Sequence, residues 1–133
     1  MGRSFNLELK SEFIEAEKIP DFVEDFSQKM NLCDDLKDRV MLALSEAATN
    51  AIVHGNKEDL DKDVEVKVVI DEKLVLITVQ DEGTGFNPED TPDPIREENL
   101  LATGGRGIFL MEEYADTVTY SDEGRLVTMT FKR

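Results

Sequence analysis

Positive charge is scarce in this sequence: 15 lysines and arginines face 30 aspartates and glutamates, a formal charge of -15. A surface that neutralises nucleic-acid phosphates needs clustered cations, so direct nucleic-acid binding is not expected. The acidity favours solubility, basic protein partners and divalent cations. Cysteine is almost absent as well. Cys33 is the only one, which excludes an intrachain disulfide and makes a reducing cytoplasm the natural compartment. No stretch approaches the ~18 consecutive apolar residues of a membrane span. The opening MGRSFNLELKSEF lacks the apolar run of a secretory signal. Together these absences predict a soluble, cytoplasmic protein with neither nucleic acid nor membrane as a direct partner. What is present suffices for a core. The chain has 133 residues, 40% of them hydrophobic, enough for one domain over 1–133 and too few for a second.

Periodicity supplies the elements. Phe5, Leu7 and Leu9 alternate with polar residues and predict a first strand. Pro20 suits the first turn of a helix, and Phe22, Val23, Phe26 and Met30 continue at helical spacing to about Leu32. A second helix starts near Asp34 or Asp35, either of which can cap it. It runs through Leu36, Val40, Leu44, Ala47, Ala48, Ala51 and Ile52, and Gly55-Asn56 is read as its stop. Val64, Val66, Val68 and Ile70 share one face of a strand, DEK at 71–73 makes a tight turn, and Val75, Ile77 and Val79 share one face of the next. A long Gly-, Pro- and acid-rich connection spans 82–103. A third helix from about Gly107 to Ala115 and strands near Thr117–Tyr120 and Leu126–Lys132 close the chain. This order predicts an α+β, two-layer sandwich: a mixed, mainly antiparallel sheet with helices packed on one face.

Three constellations carry chemistry. Glu46 and Asn50, four residues apart, lie about 40° apart on one helical face. A carboxylate that can take a proton beside an amide oxygen that can bind a hard cation suits metal-assisted phosphoryl transfer. A solvated Glu beside a tolerated Asn is the plainer reading, although alanines at 43, 47, 48 and 51 let this helix pack closely against a cleft. The second is QDEGTGF, from Gln80 to Phe86. Asp81 has the parity of Val75, Ile77 and Val79, so its carboxylate points into the core layer, which is costly without a good donor such as an adenine amino group. Gly83 and Gly85 permit a sharp turn and close backbone approach to a flat ligand, or simply an acidic hairpin turn. The third is TGGRGIFLMEEY. Gly104, Gly105 and Gly107 precede an apolar helical run, so backbone N–H groups at a helix N-terminus can hold phosphates, with Arg106 adding charge; a hinge before a helix is the alternative. There is no Walker motif.

In order and spacing, these segments resemble the ATPase/kinase fold shared by gyrase, histidine kinases and MutL, the Bergerat-type ATP-binding fold. Within it, the chain is most similar to bacterial anti-sigma-factor serine/threonine kinases. SEAATNAIVHGNKED resembles the N box, DEGTGF the first glycine box, and GGRGIFLMEEYAD the second. The resemblance implies the following roles. Glu46 is the general base, Asn50 a ligand of Mg²⁺ on the ATP phosphates, and Asp81 the acceptor of the adenine amino group. Gly83 and Gly85 shape the adenine wall, Gly104, Gly105, Arg106 and Gly107 cradle the phosphates, and 87–103 forms the ATP lid. His54 can line the edge of the site or serve in packing. No phosphoacceptor-histidine helix pair is present, which argues against a sensor histidine kinase. One position departs: relatives usually place a Thr in a late strand to assist the adenine-binding Asp, and here Arg125 stands there, with Thr128 or Thr130 as substitutes only if the register shifts.

By resemblance the function is an ATP-dependent serine/threonine kinase that sequesters a sigma factor and phosphorylates a STAS-type anti-anti-sigma partner; family members often dimerise. A different class stays open, motivated by Arg125 and the acidic lid: a protein-interaction module on the same fold that has lost useful turnover. A third reading is the detached ATP-binding domain of a larger signalling enzyme; the strand that opens the chain and the finish just after the last strand favour a standalone protein.

Overall fold

The computed structural model describes residues 2–83 and 111–133. Strand β1 is Arg3–Lys10; after a 3₁₀ turn, Phe13–Glu17, come helices α1, Lys18–Met30, and α2, Asp34–Asn50. Strands β2, Asp63–Ile70, and β3, Leu74–Gln80, follow; β4, Thr117–Ser121, and β5, Leu126–Lys132, complete the described chain. The sheet order is β1-β2-β3-β5-β4, and all four pairings are antiparallel.

Alternation places the helices on one side. Val64, Val66, Val68 and Ile70 of β2 are fully buried, as are Val75 and Ile77 of β3 and Met129 and Phe131 of β5. The register stacks them: Val68 lies between Phe5 and Ile77, and Val75 lies opposite Phe131. Ile19, Val23 and Phe26 of α1, with Val40 and Leu44 of α2, cover this face. Phe22 is half-buried and meets Phe26 edge-on, ring centroids 5.2 Å apart. This is the expected two-layer α+β arrangement with helices on one face; the sheet, expected to be mixed, is antiparallel in every pairing among the described residues.

One local expectation is corrected and another is refined. Helix α2 is capped at Cys33, whose side chain makes no capping bond, rather than at Asp34 or Asp35; both aspartates lie in the first turn, where their charge faces the positive helix end. Gly55-Asn56 does mark the stop, with Asn56 as the C-cap, although Gly55 is not left-handed. After Asn50 the coil widens into a π-helical turn, Ala51–Gly55, closed by the Asn56 N–H donating to the Ala51 carbonyl at 2.8 Å. The left-handed residues are Lys57 (φ 53°) and Glu58 (φ 57°). Gly55 is needed for another reason, given below. Of the third predicted helix, the described part is the turn at 111–114; it leads into β4 through the Ala115 N–H bond to the Met111 carbonyl at 2.9 Å.

Candidate functional site

The last turns of α2 lie over the ends of β3 and β5. Their alanines make this possible: Ala43, Ala47, Ala48 and Ala51 are all buried, so the helix backbone sits close to the sheet. Between them runs a cleft lined by Ala47, Asn50 and Ala51 from the helix, Val79 and Asp81 from β3 and its exit, Val127 and Arg125 from the start of β5, and Met111 and Tyr120. Thus two residues 31 positions apart in sequence, Asn50 and Asp81, share one cleft. Glu46 is half-buried one turn before Asn50 and is not part of that lining; His54 is exposed and also stands outside it. Gly85, Gly104, Gly105, Arg106 and Gly107, with the 87–103 segment, fall outside the described residues.

The two shared residues differ in kind: the Asn50 amide oxygen is unsatisfied, and the Asp81 carboxylate is desolvated. Asn50 Oδ1 is buried, and among the described residues it accepts no hydrogen bond. A buried amide oxygen without a donor is costly and suits a hard cation or an external donor, so this position fits Mg²⁺. Asp81 is 5% exposed. One of its oxygens, Oδ1, accepts the Gly83 N–H at 2.9 Å. Burial pushes its carboxyl above the ordinary carboxylate range, against the Gly83 bond and the nearby Arg125 charge, which pull the other way. Such a carboxylate suits a ligand N–H. Burial likewise pushes the Tyr120 phenol up, so it stays protonated in this cleft.

Close backbone contact explains two glycines. A Cβ on Gly83 would lie 1.8 Å from the Gly55 carbonyl oxygen, and a Cβ on Gly55 would lie 2.3 Å from Asp81 Oδ2. The exit of α2 and the turn after β3 therefore touch through bare backbone. Arg125 fixes the same turn: its Nε donates to the Gly83 carbonyl at 2.7 Å, while its own carbonyl accepts the Asp81 N–H at 2.9 Å. Thr128 and Thr130 pair with Thr78 and Leu76, on the sheet face opposite the buried Val127, Met129 and Phe131. The register therefore keeps both away from Asp81, and Arg125 holds the position beside it.

Sequence reasoning missed Gly55, Tyr120 and Met111 as part of this site. Tyr120 was within reach, because it shares parity with Val118 on a strand. Nothing local marks Gly55, whose neighbour Asp81 lies on another element.

Over residues 10–131 the chain matches the histidine kinase-like ATPase domain. It is similar to an anti-sigma F factor from Bacillus velezensis, 31% identical over 108 residues that cover 80% of this chain and 74% of that protein. It is also similar to the serine-protein kinase RsbW of Staphylococcus aureus, 35% identical over 113 residues, 79% of this chain and 70% of the relative. With the antiparallel sheet, the helices on one face and the match over nearly the whole length, the chain belongs to the histidine kinase-like ATPase family.

Proposed function

We propose that this chain is an ATP-dependent protein serine/threonine kinase that acts as an anti-sigma factor: it sequesters a sigma factor and phosphorylates a STAS-type anti-anti-sigma partner. The observation that carries the reading is the shared cleft, lined by both the unsatisfied Asn50 Oδ1 and the buried Asp81 carboxylate. The names of its relatives support the same activity, one an anti-sigma factor and one a serine-protein kinase. No helix among the described residues is long and apolar enough to cross a membrane; we place the protein in the cytoplasm, as one domain over 1–133 that can form a homodimer.

In this reading Asp81 accepts the adenine amino group, and Gly83 and Gly85 let the backbone lie against the base. Gly104, Gly105 and Gly107 present N–H groups to the phosphates, with Arg106 beside them. Asn50 Oδ1 would hold Mg²⁺, which would supply charge neutralisation for phosphoryl transfer. Glu46 accepts the proton of the partner's serine or threonine hydroxyl as its oxygen bonds to the γ-phosphorus and ADP leaves. Glu46 is half-buried one helical turn before Asn50, which supports a place for it beside the phosphate end of the cleft.

The test is transfer of labelled phosphate from Mg·ATP to the cognate anti-anti-sigma protein. Glu46→Ala should lower the rate by about a hundredfold or more with nucleotide affinity retained, whereas Asn50→Ala should weaken Mg·ATP binding itself. Wild-type transfer by Glu46→Ala would end the base assignment. A second reading, a binding module without useful turnover, draws on Arg125, whose guanidinium is engaged with Gly83 where the family resemblance implies a Thr. It predicts nucleotide binding with no transfer to any partner.

A further inference from the structure

Just past the π-helical turn, a buried amide joins three parts of the chain and has no role in the scheme above. Asn56 is 1% exposed. Its Nδ2 donates to Ser11 Oγ at 2.9 Å, just after β1, and to the Asp63 carbonyl at 3.0 Å, at the start of β2. Its Oδ1 accepts the Glu82 N–H at 2.7 Å, the peptide that immediately follows Asp81. Ser11, itself fully buried, passes its hydroxyl on to the Lys62 carbonyl. Every proton of the Asn56 amide is thus used, and in a buried network each bond depends on the others.

The residues beside Asn56 connect it to the cleft. Gly55, on its N-terminal side, touches both the Asp81 carboxylate and Gly83. On its C-terminal side, Lys57 and Glu58 are consecutive left-handed residues without being glycine, a conformation that persists only where surrounding contacts hold it. The helix exit is therefore under local strain, and it is pressed against the turn that carries Asp81. One side chain, Asn56, ties that exit to the peptide after Asp81.

We propose that Asn56 is a positioning residue for base recognition: it sets the placement of Asp81 relative to Asn50, and so the match between the base end and the phosphate end of one nucleotide. The inference rests on the nucleotide reading of the cleft. Its signature is selective. Displacing Asp81 weakens the contact to an adenine amino group and leaves phosphate and metal binding, which Asn50 serves from the helix, largely intact.

The experiment compares Mg·ATP, Mg·ITP, which carries a carbonyl in place of the 6-amino group, and Mg·tripolyphosphate. Each is titrated into the full chain as wild type, Asp81→Asn, Asn56→Ala and Ser11→Ala, below the unfolding temperature of each variant. In Asn56→Ala the preference for ATP over ITP should fall about tenfold, with tripolyphosphate affinity held within about twofold. Ser11→Ala removes one of the three amide contacts and should lower the preference by a smaller factor; if Asn56→Ala does not fold, this variant decides alone. An unchanged ATP preference alongside a lowered melting temperature would overturn the proposal, leaving Asn56 a purely structural residue. Equal losses for ATP, ITP and tripolyphosphate would overturn it too. A wild type with no ATP preference, unaffected by Asp81→Asn, would instead defeat the base-site reading and this inference with it.

Discussion

Strand β3 has an aspartate just before it and another just after it, and their surroundings differ. Asp71 is exposed, and its Oδ1 accepts the backbone N–H groups of Lys73 and Leu74, both at 2.8 Å. Those two bonds, Lys73 first, hold its carboxyl below the ordinary range. Asp81 is buried, and desolvation pushes its carboxyl above that range. The consequences for stability have opposite sign. Asp71 ionises more readily in the folded chain, so its contribution is complete above the ordinary carboxylate pKa and is lost as pH falls through its lowered value. Asp81 keeps its proton longer in the folded chain. Stability therefore falls as pH rises from the ordinary value through the raised one. The first aspartate serves the fold. The second is a charge that the fold tolerates at a cost, and such sites are where binding chemistry is found.

The comparison can be broken or sharpened by substitution. The largest effect is expected at the contact that supports Asp81. Gly83→Ala would drive a Cβ to within 1.8 Å of the Gly55 carbonyl oxygen, a backbone atom that no rotamer change can move. The expected loss is about 3 kcal/mol or more in urea unfolding, with nucleotide binding lost as well. A smaller fall is expected for Asp71→Ala, which releases two turn N–H groups. Its melting temperature should drop, its nucleotide affinity should not change, and its acid unfolding limb should be shallower below the ordinary carboxylate pKa. The smallest effect has the opposite sign. Asp81→Asn keeps an oxygen for the Gly83 N–H and removes the buried charge, so its melting temperature at pH 7 should rise slightly, and the gain should shrink toward pH 4. A fall in stability at pH 7 would place Asp81 with Asp71 and dissolve the contrast.

Much of this is legible in the amino-acid sequence. Period-two runs gave β2, β3 and β5 to within a residue, since each has one face wholly apolar. Parity alone put Asp81 in the core layer, and the alanines of α2 announced close packing. The rest depends on contacts that no local pattern encodes. Asn56 reads as a helix stop in sequence, yet its partners are Ser11 and Glu82, 45 and 26 residues away. Arg125 reads as a departure at a strand start, and its partner Gly83 lies 42 residues away. The Cys33 cap and the π-helical turn escaped for a related reason. Neither has a local signature: Cys33 makes no side-chain capping bond, and the π-helical turn shows itself only in the Asn56 N–H bond to Ala51.

The central claim is that Asn50 and Asp81 form the two ends of one nucleotide site. Calorimetric titration of Mg·ATP into the wild type and Asp81→Asn, at neutral pH and with folding checked in both, tests it most directly. The account predicts micromolar binding by the wild type and a loss of about a hundredfold or more in the variant, despite its equal or greater stability. Equal affinity in the two proteins, or no binding by the wild type at millimolar nucleotide, would contradict it.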